Sequence, residues 1–171
     1  TGKAMHPDIA GAVQRVCAWS RPETFEEMAS RFQQTDSEQE RMILASALGS
    51  VQSARMEESV QFSLEKIPPR LRFVPLSVMS GIPQLSPYLW DIFLRHREKL
   101  EELPEFHFER ILIGIITSGG LYHPEEIRKF FKTYAPKKLE SYLPFLRQTL
   151  EMALEMLDAL LLLRRSNPTD Q

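Results

Sequence analysis

Prolines recur along this chain at the beginnings of segments with helical apolar periodicity, and that placement limits the fold more than any other feature. Proline lacks an amide hydrogen and its ring clashes with the preceding turn, so it is tolerated in the first turn of an α-helix and disruptive beyond it. Twelve prolines against only seven glycines therefore act as punctuation. Helix starts read from these prolines, from capping residues and from the apolar period fall at Pro7, Pro22, Ser37, Ser53, Pro69, Pro87, Glu105, Pro124 and Leu139, about 15 to 19 residues apart. Each interval leaves room for a helix of three to four turns and a short connection, and short connections make neighbouring helices antiparallel. The expectation is an all-α chain of about nine helices in a curved stack of antiparallel hairpins, a HEAT- or armadillo-like α-solenoid with two intervals per repeat.

Individual segments carry the same grammar. Ser37 with Glu40 three residues on reads as a capping box, Met42, Ile43, Leu44, Ala47 and Leu48 as the apolar face, and Gly49 as the helix stop. Leu89, Trp90, Phe93 and Leu94 share a stripe of the next confident helix, with Arg95, Arg97, Glu98 and Lys99 in water. Ile111, Leu112, Ile115 and Ile116 predict a helix buried on more than one face, ended by Ser118-Gly119-Gly120. The stretch Arg70 to Met79, with Pro75 in its middle, is read as a kinked helix. In the last helix Glu151, Glu155 and Asp158 face water, while Leu146, Leu150, Ala153, Leu154, Leu157 and Leu161 turn inward. Strand signals are missing: no alternation runs over four to eight residues, and no Asn-Gly or Asp-Gly hairpin is present. Residues 1–6 are read as a linker or expression remnant, 7–165 as one helical-repeat domain and 166–171 as a disordered tail.

Charge and composition exclude several function classes. With 21 basic against 23 acidic side chains the net charge is −2, which offers no field to a phosphate backbone and argues against a nucleic-acid partner. The most apolar run, Leu157 to Leu163, is far shorter than the roughly 20 residues of a bilayer span, so no membrane partner is expected. One cysteine, Cys17, lies beside Val13, Val16 and Ala18 and is expected to be a buried, inert thiol.

No catalytic motif emerges. His6, His96, His107 and His123 include no pair at metal-ligand spacing, and the helical zinc motif H-E-x-x-H is absent. His6 and His123 each precede a proline and are read as helix-entry residues; neither a P-loop nor a G-x-S-x-G elbow accompanies Gly119 and Gly120. What remains is surface: Arg70 and Arg72 beside the expected kink, and Arg147 near the start of the last helix. On a concave face these guanidinium groups would pair with a carboxylate or a peptide terminus.

The ordered set Pro7-Asp8-Ile9-x-Gly11-x-Val13, Glu23-Thr24-Phe25-Glu26, Glu40-Arg41 through Ala47-Leu48-Gly49, Trp90-Asp91-x-Phe93, Arg110 through Ser118-Gly119, Glu125-Glu126-Ile127-x-x-Phe130-Phe131 and Arg147-x-x-x-Glu151 resembles the carboxy-terminal helical domain of zinc aminopeptidases. That family includes the puromycin-sensitive, endoplasmic-reticulum and tricorn-interacting enzymes. The chain departs from it at Arg72-Phe73, where the family reads Gln-Asp before Val-Pro, and at Met156 and Ala159, where it tends to have Asn and Trp. The resemblance implies a non-catalytic domain that encloses the substrate cavity and contacts a peptide away from its amino terminus. It further implies that zinc belongs to the parent's upstream catalytic domain, with no cofactor in this fragment and no hydrolysis by it alone. The expected partners are that catalytic domain and a peptide substrate, the expected location is cytoplasmic, and apolar surface left by separation from the parent would let the fragment form a homodimer. The rival reading is a free-standing helical-repeat scaffold for protein interaction.

Overall fold

The computed structural model describes residues 7–166, and among them the chain is all-α, with no strand. The helices are α1 (Pro7–Ser20), α2 (Phe25–Gln34), α3 (Glu38–Gly49), α4 (Met56–Glu65), α5 (Phe73–Ser80), α6 (Leu89–Leu100), α7 (Glu105–Gly114), α8 (Pro124–Lys132) and α9 (Leu143–Ser166). Their contacts divide the chain into two compact units, Thr1–Ile82 and Pro83–Gln171. The expected linker at 1–6, His6 within it, and the tail beyond Ser166 lie outside the described residues.

The first unit is organised around α3. Leu44, Ala45 and Ala47 have no exposed surface and Leu48 has 1%, and the helix packs against α1, α2 and α5. Small residues along α3 let these neighbours close in. Gly49 takes this furthest: a Cβ built there would meet the Pro75 carbonyl oxygen and lie 2.6 Å from Pro75 Cα. Helix α3 ends at Gly49 as expected, but its φ is not positive, so the reason for glycine there is not a left-handed turn: the residue must be small because α5 crosses on top of it. Ser59, fully buried on α4, donates its hydroxyl to the Leu48 carbonyl, an end-of-helix acceptor that would otherwise have no partner from within α3.

Helix starts follow the proline and cap pattern, with consistent differences. Pro22, Ser53 and Pro87 fall in 3-10 turns, Pro22–Thr24, Ser53–Arg55 and Pro83–Tyr88, and the α-helices begin directly after these turns at Phe25, Met56 and Leu89. Likewise the segment at Leu139 is a 3-10 turn, Lys137–Tyr142, ahead of α9. The kinked helix expected from Arg70 to Met79 is corrected. Helix α5 starts at Phe73, so Pro75 is its third residue, where the missing amide is one of the donors a helix leaves unpaired anyway and no kink is needed. The capping box of α3 is half formed. Ser37 Oγ accepts from the Glu40 amide at 3.2 Å, but the Glu40 carboxylate accepts from the Thr35 hydroxyl at 2.6 Å and pairs with Arg31 at 2.7 Å.

In the second unit α7 runs on into a π-helical turn, Ile115–Gly119, buried by α6 and α9. Phe93, Phe108, Leu112, Ile116, Ile127, Leu146, Ala153 and Leu157 have no exposed surface and form its core. Helix α9 has 24 residues, longer than the three to four turns expected. Glu151, Glu155 and Asp158 are exposed as expected; Leu146, Leu150, Ala153 and Leu157 are buried, and Leu154 and Leu161 half-buried.

Candidate functional site

Arg70 and Arg72 sit in the link between α4 and α5. The exposed Arg70 guanidinium pairs with Glu38 Oε2 at 2.6 Å. Partial desolvation alone would raise the Glu38 carboxyl, but Arg70 and Arg41 outweigh it and hold that group below the usual carboxylate range. Arg72 is half-buried and donates from Nε to the Ile67 carbonyl at 2.8 Å, bracing the link that follows α4. Both arginines thus have partners within their own unit.

Arg147 is exposed on α9, in the second unit. It lines a groove of about 340 Å³ with Arg128, Lys132, Phe131, Leu150, Glu151, Leu154 and Asp158. Arg128 is committed there: it pairs with Asp158 at 2.5 Å and with Glu125 at 2.6 Å, and those carboxylates raise its already high pKa. Lys132 and Arg147 supply the groove's other positive charges, and the exposed Glu151 carboxylate, four residues beyond Arg147 on α9, lines it with them.

A larger groove, about 810 Å³, lies between α6 and α8. The buried Trp90 donates from its indole N–H to Glu126 Oε2 at 3.0 Å, and its ring meets Phe130 edge-on at a centroid distance of 5.3 Å. At the far end the Tyr134 hydroxyl donates to Glu101 Oε1 at 2.6 Å. Burial first, and the Glu101 carboxylate second, push the Tyr134 phenol far above its ordinary value, so it stays protonated as a donor. Arg97 lies 5.9 Å from the Phe130 ring centroid and 3.6 Å from Glu101, covering much of the aromatic face. His123 caps α8 as an entry residue, its Nε2 3.2 Å from the Pro87 carbonyl.

Among the described residues, no group of three or more His, Cys, Asp or Glu side chains is placed to hold a metal ion. No described helix is long and apolar enough to cross a membrane. Cys17 is half-buried, not buried as expected, because Val13 and Val16 beside it are 43% and 65% exposed and that side of α1 faces outward.

The family described as the ERAP1-like C-terminal domain matches residues 1–158, across both units. The chain belongs to this family. Neither a curated protein nor a solved structure matches it. As an ERAP1-like C-terminal domain it is the C-terminal portion of an aminopeptidase. The segments that carried the resemblance meet in space: Trp90 and Phe93 of one contact Glu126, Phe130 and Phe131 of the other, around the fully buried Ile127. The α6–α8 groove was not among the sites read from sequence. Trp90, Leu94, Arg97 and Glu101, at i, i+4, i+7 and i+11, do share one helical face, and that was the available signal.

Proposed function

We propose that this ERAP1-like C-terminal domain is the helical, non-catalytic part of a zinc aminopeptidase, stacked as successive hairpins, that encloses the substrate cavity and contacts the peptide away from its amino terminus. The family match over residues 1–158 carries the reading. Zinc then belongs to the upstream catalytic domain of the same protein, in a cytoplasmic parent, and the peptide is the shared partner. Of the three arginines, Arg147 has the surroundings best suited to a peptide carboxylate, since Arg70 and Arg72 already have partners in their own unit.

The test has two stages. The reading frame upstream of Thr1 should encode H-E-x-x-H with a downstream Glu; an unrelated domain there refutes the proposal. In the parent enzyme, Arg147→Glu should lower kcat/KM for long peptides about tenfold, the loss of one charge-assisted contact of roughly 1.5 kcal/mol, and leave a single-residue amide substrate unchanged. Equal loss on both substrates would place the defect in folding or closure and exclude peptide contact by Arg147.

A further inference from the structure

The α6–α8 groove already holds a cation of its own, and holds it loosely. The Arg97 guanidinium lies 5.9 Å from the Phe130 ring centroid, at the outer limit of a cation–π contact, and 3.6 Å from Glu101 Oε1, beyond hydrogen-bond reach. Its side chain is 42% exposed, whereas that of Glu101 is 13% exposed. Glu101 is thus the fixed partner and Arg97 the exchangeable one. The Tyr134 hydroxyl donates to Glu101 Oε1 and anchors the carboxylate, while Glu101 Oε2 accepts no hydrogen bond among the described residues.

Three features select what would take the place of Arg97. Around the groove Glu98, Glu101 and Glu126 stand with Arg97 and Lys129, three carboxylates against two cations. Helix α6 ends at Leu100 and α8 at Lys132, and the Tyr134–Glu101 hydrogen bond ties those ends together, so the negative ends of two helix dipoles meet beside Glu101. The Phe130 ring next to this carboxylate favours a flat cation, and a guanidinium can lie on a ring and fork to a carboxylate where an ammonium cannot. Room for the chain that carries it is present: the groove is about 810 Å³, and Leu94, 44% exposed, and the exposed Ala135 offer apolar surface along it.

We infer that the Glu101 end of the α6–α8 groove receives an arginine side chain from a polypeptide, whose guanidinium replaces that of Arg97 between the Phe130 ring and the Glu101 carboxylate. A solvent-exposed ion pair contributes little, so Arg97 can swing into water at small cost. This site uses a different set of α8 residues from the Arg147 groove and takes the opposite charge, so it is separate from the carboxylate contact proposed above.

The experiment is an NMR titration of the 171-residue chain with a blocked pentapeptide, arginine at its centre and alanine on either side, followed through the indole N–H signals. Binding should move the Trp90 signal and leave that of Trp19, which does not line the groove. The same peptide with citrulline, the uncharged isostere, should bind at least about tenfold more weakly. Glu101→Gln keeps an oxygen for the Tyr134 hydroxyl but removes the charge, and should weaken the arginine peptide about tenfold. Arg97→Gln removes the resident competitor and should strengthen binding about threefold, a gain that a misfolded protein would not show. Equal binding of the citrulline peptide or of a lysine peptide, weaker binding by Arg97→Gln, or no binding at about 10 mM peptide would overturn the inference. Free arginine that binds as tightly as the pentapeptide would overturn the assignment to a polypeptide.

Discussion

Replacing Gly49 by alanine adds one methyl group where no methyl can fit. The added Cβ would lie 2.6 Å from Pro75 Cα and 2.9 Å from Pro75 C, and closer still to the carbonyl oxygen. Carbon atoms prefer about 3.5–4.0 Å, so the overlap is about 1 Å, and the atoms struck are backbone, which cannot rotate away as a side chain would. Helix α5 must move off α3, loosening the packing of Leu48 and Met79, which are 1% exposed. Overpacking typically costs about 1–3 kcal/mol, and a backbone clash belongs at the upper end. Alanine regains less than about 1 kcal/mol of helix propensity at this last position of α3. The net expectation is a loss of roughly 2–3 kcal/mol, or a fall in Tm of about 5–10 °C for a chain of this size. Urea unfolding followed by circular dichroism measures it, with Gly81→Ala as the control. There the new Cβ meets the Val78 carbonyl oxygen at 3.5 Å, an ordinary contact, and the change should be within about 0.5 kcal/mol. A Gly49→Ala protein as stable as the control would refute the close approach of α5 to α3.

Tyr134→Phe tests the α6–α8 groove through its alkaline behaviour. The folded pKa of Tyr134 is raised above the ordinary 10.0, so its contribution to stability is complete below pH 10 and is lost as pH rises past it, at up to about 1.4 kcal/mol per pH unit. The variant should lack that part of the slope. Because the Tyr142 phenol is also raised, the readout is the difference between the two proteins across pH 9–11, and equal slopes would refute the burial of the phenol. Ser37→Ala removes the acceptor for the Glu40 amide and should cost about 1 kcal/mol in the same urea experiment; a cost below about 0.3 kcal/mol would mean that Thr35 and Glu40 hold the start of α3 without it.

The all-α class and seven of the helix starts were legible to within about three residues because they rest on local chemistry: a missing amide at proline, a hydroxyl at Ser37, a 3.6-residue apolar period. The starts expected at Pro69 and Leu139 each fall four residues ahead of their α-helix, and the first shows the limit of local reading. Nothing between Pro68 and Pro75 says that the chain makes a turn there, since the Leu71 and Arg72 amides both donate to the Pro68 carbonyl and α5 waits until Phe73. Glycine roles were legible in position but not in cause. Gly49 and Gly120 do stand at helix ends, yet Gly49 is small because Pro75 crosses it, and Gly120 because a new Cβ would strike both the local Ile116 carbonyl oxygen and, at 2.6 Å, the distant Leu157 side chain.

The candidate sites were less legible for the same reason carried further. A groove belongs to two helices, and Trp90 with Glu126, or Arg128 with Asp158, becomes a pair only after packing has chosen which faces meet. Side-chain charge was visible from the outset, but its commitment was not. Arg70 and Arg147 read alike as surface arginines, yet Arg70 is paired with Glu38 at 2.6 Å while Arg147 lines the α8–α9 groove with Lys132 and Glu151. A guanidinium already paired must give up that pair to receive a ligand. That difference, not position in the sequence, is why the proposed peptide contact falls on Arg147 and not on Arg70.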